Sequence, residues 1–185
     1  MIEEQARLCL LNIREKDIVF TVRFLDRFPE QVSGDYLRVA QIFQNILSNA
    51  CKFTEQGTIT LSLHCKMEEG QVWFDGCVED TGVGMTKEKL AQVFAEYVSF
   101  SEDMGVEGFG LGLSIVRQLV EMMHGWVRAE SDPGKGTRVS FGFYQKQVPT
   151  EISEPRNIGR EILKEQSDPQ VEEIQPNWIY PWARV

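Results

Sequence analysis

The sequence has little positive charge and no long apolar run. Its 19 Lys and Arg residues are outnumbered by 28 Asp and Glu residues, for a net charge of −9. A general nucleic-acid binder needs a basic surface, so the charge argues against that class, although a few backbone amides can still bind a phosphate locally. No stretch is long enough to span a bilayer, and the N-terminus MIEEQ is acidic where a signal peptide is basic.

Cysteine and histidine are also scarce. The chain has four cysteines and two histidines, with no CxxC pair and no spacing typical of metal ligands. Zinc binding and redox-dithiol chemistry are therefore weakly supported, and reduced cysteines in a cytosolic setting are expected. The 185 residues are 42% hydrophobic, which suffices for one domain with its own core and a tail.

The residue pattern predicts an α/β fold, a two-layer sandwich in which helices cover one face of a mixed, mostly antiparallel sheet. Apolar residues at helical spacing predict helices over 1–16, 35–52, 87–94 and 111–123. Runs of β-branched and aromatic residues predict strands over 18–25, 57–65, 71–80, 126–130 and 138–143. We expect Asp35 to cap the second helix and Gly125 to end the last one.

Composition divides the chain into three parts. Residues 1–16 are predicted to be a linking helix, 17–144 the main domain, and 145–185 a largely disordered linker or tail. That last part holds five of the seven prolines. Its aromatic end, NWIYPWARV, has two interpretations: a linker end that meets another domain, or a segment that docks on an exposed groove or a neighbouring chain.

One helix carries polar residues suited to a metal-bound phosphate. The segment QNILSNACK places Asn45, Asn49 and Lys52 within an arc of roughly 60°, separate from the apolar face of the helix. Asn is a poor residue for the middle of a helix, but its carbonyl oxygen suits Mg²⁺. A solvated polar face is the alternative.

The segment EDTGVGM combines a carboxylate with glycines. Asp80 ends an apolar strand and can accept a hydrogen bond from the amino group of a base. Gly82 and Gly84 have no Cβ, so a flat ring could approach the backbone and pack on Met85. A simple turn is the alternative, since Asp and Gly are common turn residues.

Two further glycine-rich segments follow. GFGLGLSIV opens a helix with Gly108, Gly110 and Gly112, and free amides at a helix N-terminus favour phosphate. The PGKGT turn leads through Thr137 into the last strand. Taken separately, a flexible hinge and a turn explain them equally well.

In order and spacing, these segments resemble the ATP-binding catalytic domain of sensor histidine kinases over about residues 1–144. The same superfamily includes DNA gyrase, a heat-shock chaperone and mismatch-repair ATPases, and its fold is the Bergerat type. NILSNACKFT is similar to the family's asparagine box, and EDTGVGM to its aspartate–glycine box. VFAEYVSF resembles the phenylalanine box, and GFGLGL and PGKGT resemble the later glycine boxes.

The resemblance implies ATP and Mg²⁺ as cofactors and gives residues their roles. Asp80 would bind the adenine amino group, with Thr137 helping through water. Asn49 would hold Mg²⁺ with Asn45 beside it, and Lys52 would reach the phosphates. Residues 85–109 would form a mobile lid over ATP. The remaining residues would border adenine or the triphosphate: Gly82, Gly84, Met85, Gly108, Gly110, Leu111 and Gly112.

The resemblance also implies a reaction and partners. The γ-phosphate would go to a histidine on a separate dimerisation and phosphoacceptor domain, with a response-regulator receiver domain downstream. A homodimer would form through that missing domain, and the isolated chain would not phosphorylate itself. The location would be cytoplasmic, within a parent protein that can be membrane-anchored.

Two alternatives remain open. In hydrolysing relatives a Glu activates water at the position of Asn45, and because an amide is a poor base, phosphotransfer is favoured over a hydrolysing ATPase. Asn45 and Lys52 are the predicted catalytic residues.

No Lys or Arg lies between Lys89 and Arg117, and the predicted lid is acidic. A degenerate regulatory module is therefore the other alternative, unless Lys135 or Arg138 contacts phosphate.

Overall fold

The computed structural model describes residues 1–96, 111–149 and 151–154, in which helices and strands are intermixed. The helices are α1 (Ile2–Asn12), α2 (Tyr36–Phe53), α3 (Lys87–Ala91) and α4 (Gly112–Met122). The strands are β1 (Asp17–Phe24), β2 (Phe28–Pro29), β3 (Val32–Ser33), β4 (Gln56–Glu68), β5 (Gln71–Asp80), β6 (Trp126–Asp132), β7 (Gly136–Gln147) and β8 (Ile152–Ser153).

Six strands form one mixed sheet. β1 pairs in parallel with β4, and β4, β5 and β7 then pair antiparallel in that order. The other edge of β7 pairs with β6 and with the short β3. Side chains of α1, α2 and α4 share a core with the sheet. The predicted two-layer α/β sandwich is therefore confirmed.

The core forms because alternate residues of each strand face the helices. Val22, Leu61 and Phe141 come from three different strands, and each is at most 1% exposed. The ring of Phe141 meets Phe43 of α2 edge-on, with centroids 5.3 Å apart. Asp80 is in register with the buried Ile59 at the end of this face. The sheet therefore directs the Asp80 side chain toward the helical layer.

Helix α2 uses its two faces differently. Asp35 caps it as predicted, accepting a hydrogen bond from the Arg38 amide at 3.2 Å. Its apolar face is buried, whereas Asn45 and Asn49 are half-buried on another face. At its end, the Lys16 ammonium donates to the carbonyls of Cys51 and Thr54 at 2.9 and 3.0 Å. Cations favour this end of a helix because its last carbonyls lack partners within the helix.

The predicted boundaries of the domain fall within packed structure. Ala6 and Cys9 of α1 are buried in the core, and α1 ends at Asn12 rather than at residue 16. β7 runs past residue 144 to Gln147, and β8 pairs with β2. The division into 1–16, 17–144 and 145–185 stays a prediction, and residues 155–185 lie outside the described residues. No helix in the described part is long and apolar enough to cross a membrane.

The end of α4 differs from the prediction. His124, rather than Gly125, adopts the left-handed conformation, with φ of 55°. The amides of His124 and Gly125 donate to the carbonyls of Glu121 and Val120 at 3.1 and 2.7 Å, which is the Schellman pattern. A Cβ on Gly125 would lie 2.1 Å from the carbonyl oxygen of Gly142. Gly125 is therefore required by close packing on β7, not by its own φ.

We expect opposite effects from two neighbouring substitutions at this helix end. His124→Gly should raise the free energy of unfolding by about 0.5–1 kcal/mol, because glycine adopts a positive φ without steric cost. Gly125→Ala should lower it by about 1–3 kcal/mol, because its Cβ has no room. Urea unfolding followed by circular dichroism would measure both, and a destabilised His124→Gly together with a tolerated Gly125→Ala would contradict this assignment.

Candidate functional site

The Asp80 carboxyl lies where β5 ends, and two backbone amides hold it. Its Oδ1 accepts hydrogen bonds from the amides of Gly82 and Thr137, at 2.9 and 3.2 Å. Burial raises the pKa of Asp80, and these two hydrogen bonds oppose that shift. The side chain is thus a partly buried acceptor with a preset orientation.

The glycines after Asp80 are required by the protein's own backbone. A Cβ on Gly82 would lie 2.2 Å from the carbonyl oxygen of Phe53. Gly84 has a φ of +65°, and a Cβ there would lie 1.9 Å from the carbonyl oxygen of Asp132. Such contacts leave no space for any other side chain. That Gly82 and Gly84 also leave room for a planar ring stays a prediction.

Ser131 organises this loop and was not identified from the sequence. Its Oγ accepts from the Met85 amide and donates to the Gly136 carbonyl, both at 2.8 Å. It also lies 3.0 Å from Oγ1 of Thr137. A polar residue just before an Asp-Pro-Gly turn was the available signal, but only the fold brings Ser131 to Met85. The structure therefore places Met85 and Thr137 together beside Asp80.

The asparagines of α2 face the start of α4. A Cβ added to Gly112 would lie 3.5 Å from Nδ2 of Asn49 and 3.6 Å from Oδ1 of Asn45. Among the described residues, none accepts a hydrogen bond from the buried Nδ2 of Asn45. The first amides of a helix also lack partners within the helix. One amide donor without a partner among the described residues and the amide oxygens of two asparagines thus lie near the start of α4, groups that suit a phosphate and a metal ion bound to it.

Two of the predicted phosphate glycines cannot be placed. Gly108 and Gly110 lie outside the described residues, as does most of the predicted lid. Of the described part, α3 begins after Thr86, whose hydroxyl accepts from the Lys89 amide at 3.4 Å. Leu111 and Gly112 begin α4, as predicted.

The cationic candidates occupy different places. Lys52 is half-buried on α2, with its Nζ 5.1 Å from the centroid of the Phe53 ring. Arg138 lies on the sheet face opposite Asp80, where its Nε donates to Glu79 at 2.9 Å. It is therefore not part of this site. Lys135 is exposed on the turn and binds Asp132 at 3.1 Å.

The loop after Asp80 is attached to the helix that carries the asparagines. The Val83 amide donates to the carbonyl of Phe53, at the end of α2, at 3.2 Å. Asn49 lies one turn before Phe53 on the same helix. The Asp80 carboxyl and the amide side chains of α2 therefore border one region, with a carboxylate at one end and two amide side chains at the other.

Comparison with known proteins identifies relatives of this arrangement. The family model described as histidine kinase-, DNA gyrase B-, and HSP90-like ATPase matches residues 34–147. The chain is 35% identical over 146 residues to hybrid signal transduction histidine kinase B of Dictyostelium discoideum, covering 76% of this chain and 7% of that protein. It is 38% identical over 133 residues to the adaptive-response sensory kinase SasA of Thermosynechococcus vestitus, covering 71% of this chain and 34% of that protein.

Two solved structures of histidine kinases are similar to this fold. Full-length ShkA in complex with AMPPNP superposes with a TM-score of 0.65 at 29% identity, covering 80% of this chain and 30% of that one. The mycobacterial sensor histidine kinase MprB gives 0.60 at 25% identity, covering 80% of this chain and 96% of that one. Of the two relatives compared by sequence, the chain spans about a third or less of the length.

We expect Asp80→Asn to fold at least as stably as the wild type at pH 7. Asn keeps an Oδ1 acceptor for both amides and carries no buried charge. Burial raises the pKa of Asp80 in the folded chain. The stability that this carboxyl contributes is therefore fully present below its unfolded pKa of 3.8, and it is lost as the pH rises through the higher folded pKa. The stability advantage of the variant should therefore grow with pH from about 4.

Urea unfolding across that pH range would measure the difference between the two chains. Asp132→Asn is the matched control, since Asp132 is exposed and pairs with Lys135. A loss of more than about 1 kcal/mol in Asp80→Asn at pH 7 would show that the fold needs the charge itself.

Proposed function

Because the chain belongs to the histidine kinase-, DNA gyrase B-, and HSP90-like ATPase family, we propose that it binds ATP with Mg²⁺ and delivers the γ-phosphate to a histidine on a separate phosphoacceptor domain. The observation that carries this proposal is the Asp80 carboxyl, fixed by the amides of Gly82 and Thr137. A fixed, partly buried acceptor suits the amino group of adenine.

The adenine end of the site would consist of Asp80 and the residues around it. Asp80 would accept one hydrogen bond from the adenine amino group, and the nearby Thr137 hydroxyl would support a bridging water. Met85 would contact the ring, because Ser131 fixes its backbone at this position. Gly82 and Gly84 would keep the loop close to α2, so that no side chain enters the ring's space.

The phosphate end would lie between α2 and α4. Asn49 and Asn45 would supply amide oxygens to the metal, and Nδ2 of Asn45, which has no acceptor among the described residues, would donate to a phosphate oxygen. Leu111 and Gly112 would contribute the helix N-terminus, with Gly108 and Gly110 before them. Lys52 would add a positive charge. When bound, Mg²⁺ would neutralise phosphate charge and orient the terminal phosphoryl group.

The donor set also explains why the metal would arrive with the nucleotide. In the described ranges, no group of three or more His, Cys, Asp or Glu side chains could hold a metal ion. Two neutral amides bind Mg²⁺ weakly, whereas triphosphate oxygens complete an oxygen coordination shell. The residues present therefore fit a magnesium–nucleotide complex better than free Mg²⁺.

Transfer to a protein side chain is favoured over hydrolysis. Asn45 lies one helical turn before Asn49, and its amide cannot take a proton from water. An acceptor nucleophile would have to come from elsewhere, because His64 lies in β4 with Nδ1 3.0 Å from Asp26 and His124 ends α4. We infer that a phosphoacceptor domain supplies it, that this domain forms the homodimer, and that a receiver domain takes the phosphoryl group next.

The relatives support this division of labour. Their names include sensory and hybrid histidine kinases, and the chain covers only 7% and 34% of the two compared above. Those proteins therefore have ample length for acceptor and receiver domains. A cytoplasmic location follows from the proposal, since ATP is the substrate.

We expect two variants to lose different parts of nucleotide binding. Asp80→Asn should weaken the binding of AMP and of Mg-ATP alike by about 10–100-fold. The variant replaces a charged acceptor with an NH₂ group, which would face the adenine amino group as a second donor. Asn49→Ala should weaken Mg-ATP by about tenfold or more and leave AMP nearly unchanged, since it removes only a metal ligand. Isothermal titration calorimetry with and without Mg²⁺ would separate the two effects.

Two conservative changes serve as controls. Asp132→Asn alters an exposed carboxylate on the nearby turn, and Ser48→Ala removes a hydroxyl that donates to the Asn45 carbonyl within α2. Both should bind like the wild type. Unmeasurable ATP binding by the wild-type chain would favour the degenerate regulatory module instead.

We expect γ-³²P-labelled ATP to leave no acid-labile label on the chain alone. A purified helical phosphoacceptor domain added in trans should become labelled, and Asn49→Ala should abolish that transfer. Acid-labile label on the isolated chain would contradict the need for a separate acceptor. Steady phosphate release by the chain alone, lost in Asn45→Ala, would identify a hydrolysing ATPase.

A further inference from the structure

Two cysteines far apart in sequence meet in the core between α1 and α2. The Sγ atoms of Cys9 and Cys51 lie 2.8 Å apart, across a sequence separation of 42 residues. Both residues are buried, with exposures of 2% and 3%. A disulfide bond is about 2.0 Å long, so less than about 1 Å of movement separates these thiols from bonding distance.

The two thiols have different surroundings. The Cys51 thiol has a lowered pKa, first because Cys9 hydrogen-bonds to it and further because the Lys16 ammonium is near. The pKa of Cys9 is raised by the same contact and by burial. Lys16 is positioned by its hydrogen bond to the Cys51 carbonyl at 2.9 Å. The contact between the two sulfurs therefore lies beside the Lys16 ammonium, at the end of α2.

We propose that Cys9 and Cys51 are a redox-active thiol pair that a peroxide converts into a disulfide linking α1 to α2. One of the two sulfurs, as a thiolate, attacks one peroxide oxygen, which breaks the O–O bond, gives a sulfenic acid and releases water after protonation. The other sulfur then displaces the sulfenic oxygen as a second water. Two thiols and one hydrogen peroxide thus yield one disulfide and two waters, with both electrons coming from sulfur.

The bond would tie α1 to the last turn of α2. Cys51 lies between Asn49 and Phe53, the carbonyl of which accepts from the loop after Asp80. A covalent link here would restrict the helix end where the nucleotide site and α1 meet. It would also reduce the number of conformations accessible to the unfolded chain, which stabilises the folded state. This site does not depend on the proposed kinase activity.

The other cysteines provide an internal control. Cys65 and Cys77 lie on neighbouring strands, in register with Phe74 and Ser62 rather than with each other. Burial raises the pKa of Cys65 to about 12 and that of Cys77 to about 11. Among the described residues, neither thiol has another cysteine sulfur within hydrogen-bond distance, so both should stay reduced under mild oxidation.

The test is mild hydrogen peroxide treatment of the folded full chain, followed by alkylation and peptide mass spectrometry. We expect a loss of 2 Da, from the two thiol hydrogens, and a cross-linked peptide pair containing Cys9 and Cys51. The apparent Tm should rise by about 10 °C and return to its starting value with dithiothreitol. The Cys65→Ser/Cys77→Ser double variant should behave in the same way.

Cys9→Ala and Cys51→Ala should each lose both the cross-link and the reversible Tm rise. Near-wild-type circular dichroism before oxidation would show that these variants fold. Alkylatable thiols at positions 9 and 51 after treatment of the wild type would overturn the assignment. Pairing of either residue with Cys65, Cys77 or a second chain would overturn it as well.

Discussion

The hydrogen bonds from two backbone amides to the Asp80 carboxyl are the constraint on which the site depends. One amide belongs to the loop that follows β5, and the other to the first residues of β7. A half-buried carboxylate is costly unless such donors compensate it. The same bonds therefore stabilise the charge, close the loop against the β6–β7 turn and orient an acceptor for a ligand.

Helix α2 connects this acceptor with the rest of the molecule. Its apolar face forms the centre of the core, and its end receives Lys16, the loop after Asp80 and the neighbouring thiol of Cys9. Its remaining face carries Asn45 and Asn49 toward α4. A change in the position of this helix would alter the core and both ends of the proposed nucleotide site together, since all three share one rigid element.

Much of the fold and part of the site follow from sequence. The β4–β5 hairpin, the Asp35 cap and the polar face of α2 depend on neighbours within a few residues, so periodicity and capping rules predict them. The resemblance to histidine-kinase ATP-binding domains, drawn from five short segments, is confirmed by the family match over residues 34–147. The roles of Asn49, Asp80 and the other site residues stay predictions.

The features that the sequence did not predict depend on contacts between distant segments. Gly82 and Gly84 pack on Phe53 and Asp132, and Ser131 reaches Met85, only after the sheet and α2 are assembled. Cys9 and Cys51 are likewise 42 residues apart in the sequence, so their contact could not be predicted from spacing. The sequence by itself determined which faces of helices and strands are apolar and which residue types the site contains. The tertiary structure decided which backbones touch, on which side of the sheet Arg138 lies and which thiols meet, because register and helix packing set those distances.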